Sequence, residues 1–190
     1  MRLRLFHSLY LAALWATYPL IIYVGLRWGS PRIVGVLLLA NLILRRRNDA
    51  RRLIGDLGWI DRAVLLCLLL HAGAAAWSNS DFLVRLFPMA MNLGVLTLFA
   101  RSLFSPQSMI ERFARLSEPD LTPAGVRYTR RVTQVWCGFL VINAGVAFWT
   151  ALYATQEVWA LYNGLIAYVL MGILFAGEWL VRYFWRRRAM

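Results

Sequence analysis

Three arginines in a polar segment between two long apolar runs are the residues best suited to bind a partner. Arg127, Arg130 and Arg131 are spaced so that a helix through this segment places them on or near one face. Guanidinium groups bind phosphate and carboxylate oxygens in a planar, two-point geometry. The nearest candidate counter-charges by depth are Asp120 and Glu178. With only two acids nearby, we expect this cluster to keep positive charge for a phosphate group or an acidic protein.

The segment that carries this cluster, residues 105–131, is predicted to form a cytoplasmic loop with a short amphipathic interfacial helix over Ser105–Leu116. Ser105 and Pro106 are typical of a helix start. One face of that helix is apolar, and the opposite face carries Arg112 and Arg115, which we add to the candidate contacts for anionic lipid or a partner. The apolar residues of the helix are Met109, Ile110, Phe113 and Leu116, and Glu111 and Glu118 are expected to point away from them.

After this helix, Thr122 and Pro123 predict a second helix start that continues into the next apolar run.

Polar residues inside the apolar runs are candidates for intramembrane contacts. Glu178 lies four residues before Arg182, so the two can form an ion pair, or Glu178 can belong to a polar site shared with the arginine cluster. Asn143 and Asn163, like Asn41 and Asn92, are expected to make hydrogen bonds between helices. Small residues near Asn163 and Gly172 predict close helix packing there.

The sequence lacks the common signatures of catalysis. It has no HExxH, no GxSxG, no Gly-rich phosphate loop and no spaced Asp/Gly/Arg pattern of membrane phosphatidyltransferases. His7 and His71 are expected at different depths, and Cys67 and Cys137 have no CxxC spacing. We therefore predict no catalytic residue, no metal ligand and no cofactor, and favour a non-catalytic protein.

The composition places these residues in a membrane protein. Of 190 residues, 61 % are hydrophobic and only 16 % are charged. The hydrophobic share exceeds that of typical soluble domains. A transmembrane helix needs about 20 apolar residues. The prediction is an all-α polytopic protein with one transmembrane domain, residues 1–190, and about six spans. These cover residues 6–26, 31–44, 60–77, 82–104, 132–153 and 158–184, of which 31–44 is short for a full crossing.

The arginines predict the orientation. All 21 basic residues are arginine, and a six-span arrangement leaves only Arg27, Arg32 and Arg85 on the outer side. Positive residues concentrate on the cytoplasmic side of membrane proteins, so both termini are expected in the cytoplasm. The net charge of +12 lies at the ends of apolar runs, which favours anionic lipid over nucleic acid as a partner.

Seven short motifs between Arg85 and Arg188 carry a resemblance to a known family. They are Phe99-Ala100-Arg101-Ser102-Leu103, Phe113-Ala114-Arg115-Leu116, Pro119-Asp120-Leu121, Arg127–Thr133, Trp136-Cys137, Tyr162-Asn163-Gly164 and Tyr168–Gly172. In these motifs the chain resembles an uncharacterised family of bacterial inner-membrane proteins, whose members are often encoded beside genes for acyl-carrier-protein-dependent lipid or aryl-polyene biosynthesis. The resemblance implies a bacterial inner-membrane location and a link to acyl-chain assembly or export, and it supplies no catalytic residues.

Three hypotheses for function follow. The first is an accessory or scaffold protein whose Arg-rich cytoplasmic face binds membrane lipids, an acidic acyl carrier protein or other pathway proteins. The second is a membrane-embedded lipid-modifying transferase. The third is a small lipid transporter or flippase, for which six spans suffice if the protein forms a homo-oligomer. A polar cavity that joins Glu178 to the arginine cluster favours the second or third hypothesis, and a packed bundle with a basic face favours the first.

Overall fold

The computed structural model describes residues 36, 58–116 and 118–188 of the chain, and every regular element within them is helical. Within these described residues, four stretches are long and apolar enough to cross a membrane, the last being Gln156–Arg182. The elements in chain order are α1 (Trp59–Ser78), α2 (Asp81–Ser102), α3 (Met109–Arg115), α4 (Pro123–Tyr153), α5 (Gln156–Leu161), a π-helical turn (Tyr162–Ile166) and α6 (Ala167–Arg188).

These stretches confirm four of the predicted apolar helices. The predictions 60–77 and 82–104 correspond to α1 and α2, 132–153 to the larger part of α4, and 158–184 to the run from α5 to α6. The predicted spans 6–26 and 31–44 lie outside the described residues, apart from Val36. A total of six spans therefore stays a prediction.

A tight turn joins α1 and α2 into an antiparallel hairpin. Asn79 ends α1 in the left-handed conformation, at a φ of 48°. The hydroxyl of Ser80 then accepts a hydrogen bond from the Leu83 amide and caps α2. Farther along, a Cβ atom at Gly94 would lie 3.0 Å from a methyl group of Val64, so the small residue allows the two helices to approach closely.

The longest helix, α4, packs against α2 and α3 and organises the bundle. Thr122 caps it by accepting a hydrogen bond from the Gly125 amide, and Pro123 occupies its first turn, as the sequence predicted. Its 31 residues span about 46 Å at about 1.5 Å per residue. Because a hydrocarbon core is about 30 Å thick, α4 is long enough to extend into the headgroup region.

The bundle has two ends with different chemistry. The hairpin end contains the α1–α2 turn and the connection after Tyr153, and the Arg-rich end contains residues 103–122 and the C-terminal part of α6. At the hairpin end, Arg85 donates hydrogen bonds to the carbonyls of Thr150 and Ala154, where α4 ends. Positive charge is favourable at a helix C-terminus. Close by, the indole N–H of the fully buried Trp159 donates to the Arg85 carbonyl at 3.0 Å.

The start of α3 differs from the prediction, because the helix begins at Met109 rather than near Ser105. Its first amide groups are bonded by neighbouring helices. The Met109 amide donates to the Ser102 hydroxyl at 2.8 Å, and the Ile110 amide donates to the Thr133 hydroxyl at 3.3 Å. These bonds to α2 and α4 fix where the helix starts.

The burial of Glu111 on α3 also differs from the prediction. Glu111, which was expected to point away from the apolar face, is only 3 % exposed. Phe113 and Leu116, which belong to the apolar face, are 54 % and 83 % exposed. Glu111 accepts hydrogen bonds from Nε and Nη2 of Arg115 at 3.0 and 2.9 Å. This pairing allows the carboxylate to be buried.

The expected close packing at Gly172 is not found among the residues that the structure describes, where a Cβ atom at this position would meet nothing within 4 Å.

Candidate functional site

A cavity of about 300 Å³ lies between α2, α4 and α6. It reaches from Asn163, next to α5, to Phe113 of α3, so it runs along the bundle axis toward the Arg-rich end. The backbones of α4 and α6 approach closely at few positions, and this spacing leaves room for the cavity. Its walls are formed by Pro88, Met91, Asn92, Val95, Phe99, Phe113, Trp136, Leu140, Asn143, Asn163, Ala167, Tyr168, Met171 and Phe175.

Aromatic rings form much of the wall toward the Arg-rich end. Trp136 is buried, and its ring centroid lies 4.5 Å from that of Phe175 on α6 and 6.2 Å from that of Phe99 on α2. This cluster connects the three helices through side chains. Phe113 adds a ring from α3, so this short helix forms one boundary of the cavity.

A chain of polar side chains crosses the bundle at the other end of the cavity. Asn143 of α4 donates from Nδ2 to Oδ1 of Asn92 at 2.9 Å, and Asn92 donates to the Pro88 carbonyl at 2.8 Å. The Tyr162 hydroxyl donates to Oδ1 of Asn143 at 2.7 Å. The expectation that Asn143 and Asn92 form hydrogen bonds between helices is confirmed, because this series of hydrogen bonds joins α2, α4 and the π turn.

Asn163 makes a second polar connection. Its Nδ2 donates to the Thr150 hydroxyl at 3.2 Å and to the Trp159 carbonyl at 2.9 Å. The bond to Thr150 confirms the predicted interhelical role. Asn143 and Asn163 are only 4 % and 8 % exposed, and both line the cavity. Buried carboxamides therefore face a space whose other walls, apart from Tyr168, are apolar.

The predicted arginine cluster lies elsewhere, on the first turns of α4. Arg127, Arg130 and Arg131 are all exposed, and Arg130 donates a hydrogen bond to the Leu103 carbonyl. Asp120 is exposed in the bend that precedes α4. Within residues 58–116 and 118–182, no ion pair joins Asp120 to this cluster.

Glu178 pairs with Arg182 at 3.4 Å, which agrees with a local ion pair and not with a site shared with the arginine cluster. The Tyr128 hydroxyl donates to the backbone carbonyl of Glu178 at 3.3 Å and links α4 to α6. Arg115 is held by Glu111 and also donates to the Pro119 carbonyl at 2.7 Å. Its guanidinium group is therefore occupied, unlike that of the exposed Arg112.

A third ion pair fastens the start of α1 to the end of α2. Asp61 lies 3.3 Å from Arg101 and accepts a hydrogen bond from the Gly58 amide at 2.8 Å. A Cβ atom at Gly58 would lie 2.8 Å from the Arg101 guanidinium, so glycine leaves room for this contact. Three carboxylates near the Arg-rich end are thus bound by arginines other than those of the cluster.

The structure therefore separates the predicted residues into two sets. Asn143 and Asn163 belong to the cavity, whereas the arginine cluster and Arg112 lie at the exposed Arg-rich end. The roles of Tyr162 and Glu111 were not predicted, although the Tyr-Asn pair inside an apolar run was a signal for a polar contact. The chain matches no protein-family model, no curated protein and no solved structure.

Proposed function

We propose that this chain is a non-catalytic accessory protein of acyl-lipid assembly or export at a bacterial inner membrane, and that it binds anionic lipid headgroups at its Arg-rich end. One observation carries the proposal. Arg112, Arg127 and Arg131 are exposed and have no ion-pair partner among the described residues, whereas Asp61, Glu111 and Glu178 are paired with other arginines. The Arg-rich end therefore keeps positive charge for an anionic partner.

The length of α4 supports a lipid headgroup as that partner. The helix exceeds the thickness of a hydrocarbon core by about 16 Å, which corresponds to about ten residues. Arg127, Arg130 and Arg131 all lie within the first nine residues of α4. Their guanidinium groups therefore fall at the depth of lipid phosphates, which they can bind in a two-point geometry. The concentration of arginine at this end favours its placement in the cytoplasm.

The cavity favours an accessory protein over a transferase or a flippase. Its walls, all within the described part of the chain, carry carboxamides, Tyr168 and apolar groups but no charged side chain. A transferase needs groups that move protons or stabilise developing charge, and a flippase needs a polar route for the headgroup. Glu178 and the arginine cluster do not converge on the cavity, so the feature that would favour those hypotheses is missing from its walls.

The test compares lipid retention by purified variants. The wild type, the triple variant Arg127→Gln/Arg130→Gln/Arg131→Gln and the control Arg62→Gln are purified in mild detergent and mixed with phosphatidylglycerol or phosphatidylcholine. Bound lipid is measured by native mass spectrometry. Arg62 is a suitable control because it is exposed near the start of α1, at the same end of the bundle. Each arginine near an anionic surface contributes about 1 kcal/mol. The triple variant should therefore bind phosphatidylglycerol about a hundredfold more weakly.

We expect Arg62→Gln, which removes a single charge, to weaken phosphatidylglycerol binding by no more than about fivefold, and phosphatidylcholine to bind weakly to all three proteins. Equal binding of phosphatidylglycerol by the wild type and the triple variant would overturn the proposal. Retention of an acidic protein from the membrane extract by the wild type, without selective lipid retention, would also overturn it in favour of protein docking.

A further inference from the structure

We propose that the cavity between α2, α4 and α6 binds a hydroxylated acyl chain, with the hydroxyl group at the carboxamides. The inference goes beyond headgroup binding at the Arg-rich end, because it concerns a different set of residues. It rests on the proposed function in one respect only, that the arginine cluster marks the depth of the headgroups.

The size of the cavity selects the kind of occupant. A helix about 10 Å across would fill 300 Å³ within a single turn, so the space does not accommodate a transmembrane helix of this chain or of a partner. An alkyl chain is thinner, because non-bonded carbon atoms approach to about 4 Å. The same volume then holds on the order of ten methylene groups. A single acyl chain is therefore the occupant that fits this volume.

Apolar walls alone do not select a ligand inside a bilayer. Lipid tails are as apolar as leucine side chains, so moving a plain tail from the bilayer into the cavity gains little hydrophobic free energy. A hydroxyl group gains more, because it lacks hydrogen-bond partners among lipid tails and finds them in the cavity. Selection by this cavity must therefore come from its polar end.

The polar end has unused hydrogen-bonding capacity. A carboxamide has two N–H donors and an acceptor oxygen. Asn92 uses one of its two N–H groups in the bond to the Pro88 carbonyl, and Asn143 uses one in the bond to Oδ1 of Asn92. Oδ1 of Asn163 accepts no hydrogen bond from the residues that the structure describes, although the side chain is more than nine-tenths buried. Donors and an acceptor are thus available, and a hydroxyl group can use both kinds.

The depth of the carboxamides in the bundle predicts that the hydroxyl group of the ligand lies near the middle of its acyl chain. Asn143 follows Arg131 by twelve positions on α4, which corresponds to about 18 Å along the axis. An extended chain advances about 1.2 Å per bond, since three backbone bonds span at most about 3.6 Å. The hydroxyl should therefore lie on the order of twelve to fifteen bonds from the headgroup.

The experiment measures competition for a photoreactive probe. Purified protein in detergent is labelled with a diazirine derivative of octadecanoic acid, and unlabelled 12-hydroxyoctadecanoic acid or octadecanoic acid is added as competitor. We expect crosslinks in the peptides that contain Trp136, Leu140 and Met171, which line the cavity. We also expect the hydroxylated acid to compete about tenfold better, because its hydroxyl group gains hydrogen bonds in the cavity that the plain chain cannot make.

The decisive variant is Asn92→Leu/Asn143→Leu/Tyr162→Phe. It replaces each carboxamide by a branched apolar group of similar shape and also removes the Tyr162 hydroxyl, which donates to Asn143, so no side chain of this network keeps a donor without its acceptor. It should still be labelled, but the two acids should compete equally. Thr97→Val is the matched control, because Thr97 is a polar residue on the exposed side of α2 and its loss should leave the tenfold preference unchanged.

A second pair of variants tests the place of binding. Ala167→Phe puts a ring where a small buried residue lines the cavity and should abolish labelling, whereas Ile173→Phe, on the exposed surface of α6, should not. Equal competition by the two acids in the wild type, or labelling confined to exposed surfaces, would overturn the proposal. The triple arginine variant separates the two proposals, because loss of anionic headgroup binding should leave the hydroxyl preference intact.

Discussion

The ion pair of α3 gives the sharpest test of how this bundle tolerates a buried carboxylate. The side chain of Glu111 is 3 % exposed and that of its partner Arg115 is 31 % exposed. The two partners should therefore respond differently to substitution. Without Glu111, Arg115 can still reach solvent or lipid phosphate, whereas without Arg115 the carboxylate is left buried with no counter-charge.

The magnitudes follow from this difference in burial. Leaving a buried charge unpaired costs about 3–5 kcal/mol, and the partial exposure of Arg115 places the value for Arg115→Met near the lower limit, about 3 kcal/mol. Glu111→Gln keeps a carbonyl oxygen that the guanidinium group can contact, so it should cost about 1 kcal/mol. Arg112→Met, on the exposed side of the same helix, should change stability by less than about 0.5 kcal/mol.

The assay is reversible unfolding in mixed micelles with increasing sodium dodecyl sulfate, followed by circular dichroism. The double variant Glu111→Gln/Arg115→Met completes the cycle. Because the Glu111→Gln background has no charge at this position, the Arg115→Met change should cost about 1 kcal/mol there, which gives a coupling of about 2 kcal/mol. Equal destabilisation by Arg115→Met and Arg112→Met, or an equal effect of Arg115→Met in both backgrounds, would refute the reasoning.

Three further predictions concern the Arg-rich end. Arg130→Glu/Arg131→Glu should abolish the protein's function in acyl-lipid assembly or export, while the amount of protein in the membrane stays normal. The matching Arg→Lys changes should reduce function only if the guanidinium groups make planar two-point contacts. Full activity of the charge-reversed protein would rule out the site. A cysteine at Asp120, in a background without Cys67 and Cys137, should resist a membrane-impermeant thiol reagent added to intact cells, whereas a cysteine at Asn79 should react; the reverse pattern would contradict the orientation. Phe113→Asp should loosen α3 and increase protease cleavage within residues 103–122, and unchanged cleavage would contradict an interfacial helix.

The apolar helices were predictable because their signals are local. The predicted spans 60–77 and 82–104 differ from Trp59–Ser78 and Asp81–Ser102 by at most two residues at each end. Runs of apolar residues long enough for a bilayer, broken by Ser, Asn and Asp, leave little ambiguity. The start of α4 was equally local, since Thr122 and Pro123 provide both a cap and a preorganised first turn.

The buried face of α3 could not be read from the sequence, because neighbouring helices determine it. Periodicity placed Ile110 and Phe113 on one apolar face, directed toward the hydrocarbon or the bundle, and Glu111 away from that face. The bond from the Ile110 amide to Thr133, more than twenty positions along the chain, helps to orient the helix and brings Glu111 inward instead. In a seven-residue helix, a few such contacts outweigh the hydrophobic pattern.

The π turn was also hidden from the sequence, since Tyr162–Ile166 lies within one uninterrupted apolar run. A π turn accommodates an extra residue, and it often occurs at functional sites. Since an α-helix advances by about 100° per residue, the insertion rotates α6 by about that angle relative to α5. No feature of local composition marks such an insertion.

This rotation explains why the polar connections and the cavity lie next to each other. Within the turn, the Tyr162 hydroxyl reaches Asn143 and the Asn163 amide reaches Thr150, so the segment is fastened to α4 by hydrogen bonds. Beyond the turn, α6 contacts α4 mainly through side chains, first Trp136 with Phe175 and then Tyr128 with the Glu178 carbonyl. Between membrane helices there is no hydrophobic force that closes the remaining gap. A space bounded by fixed contacts at both ends and lined by buried carboxamides is therefore suited to accept a chain from the surrounding lipid.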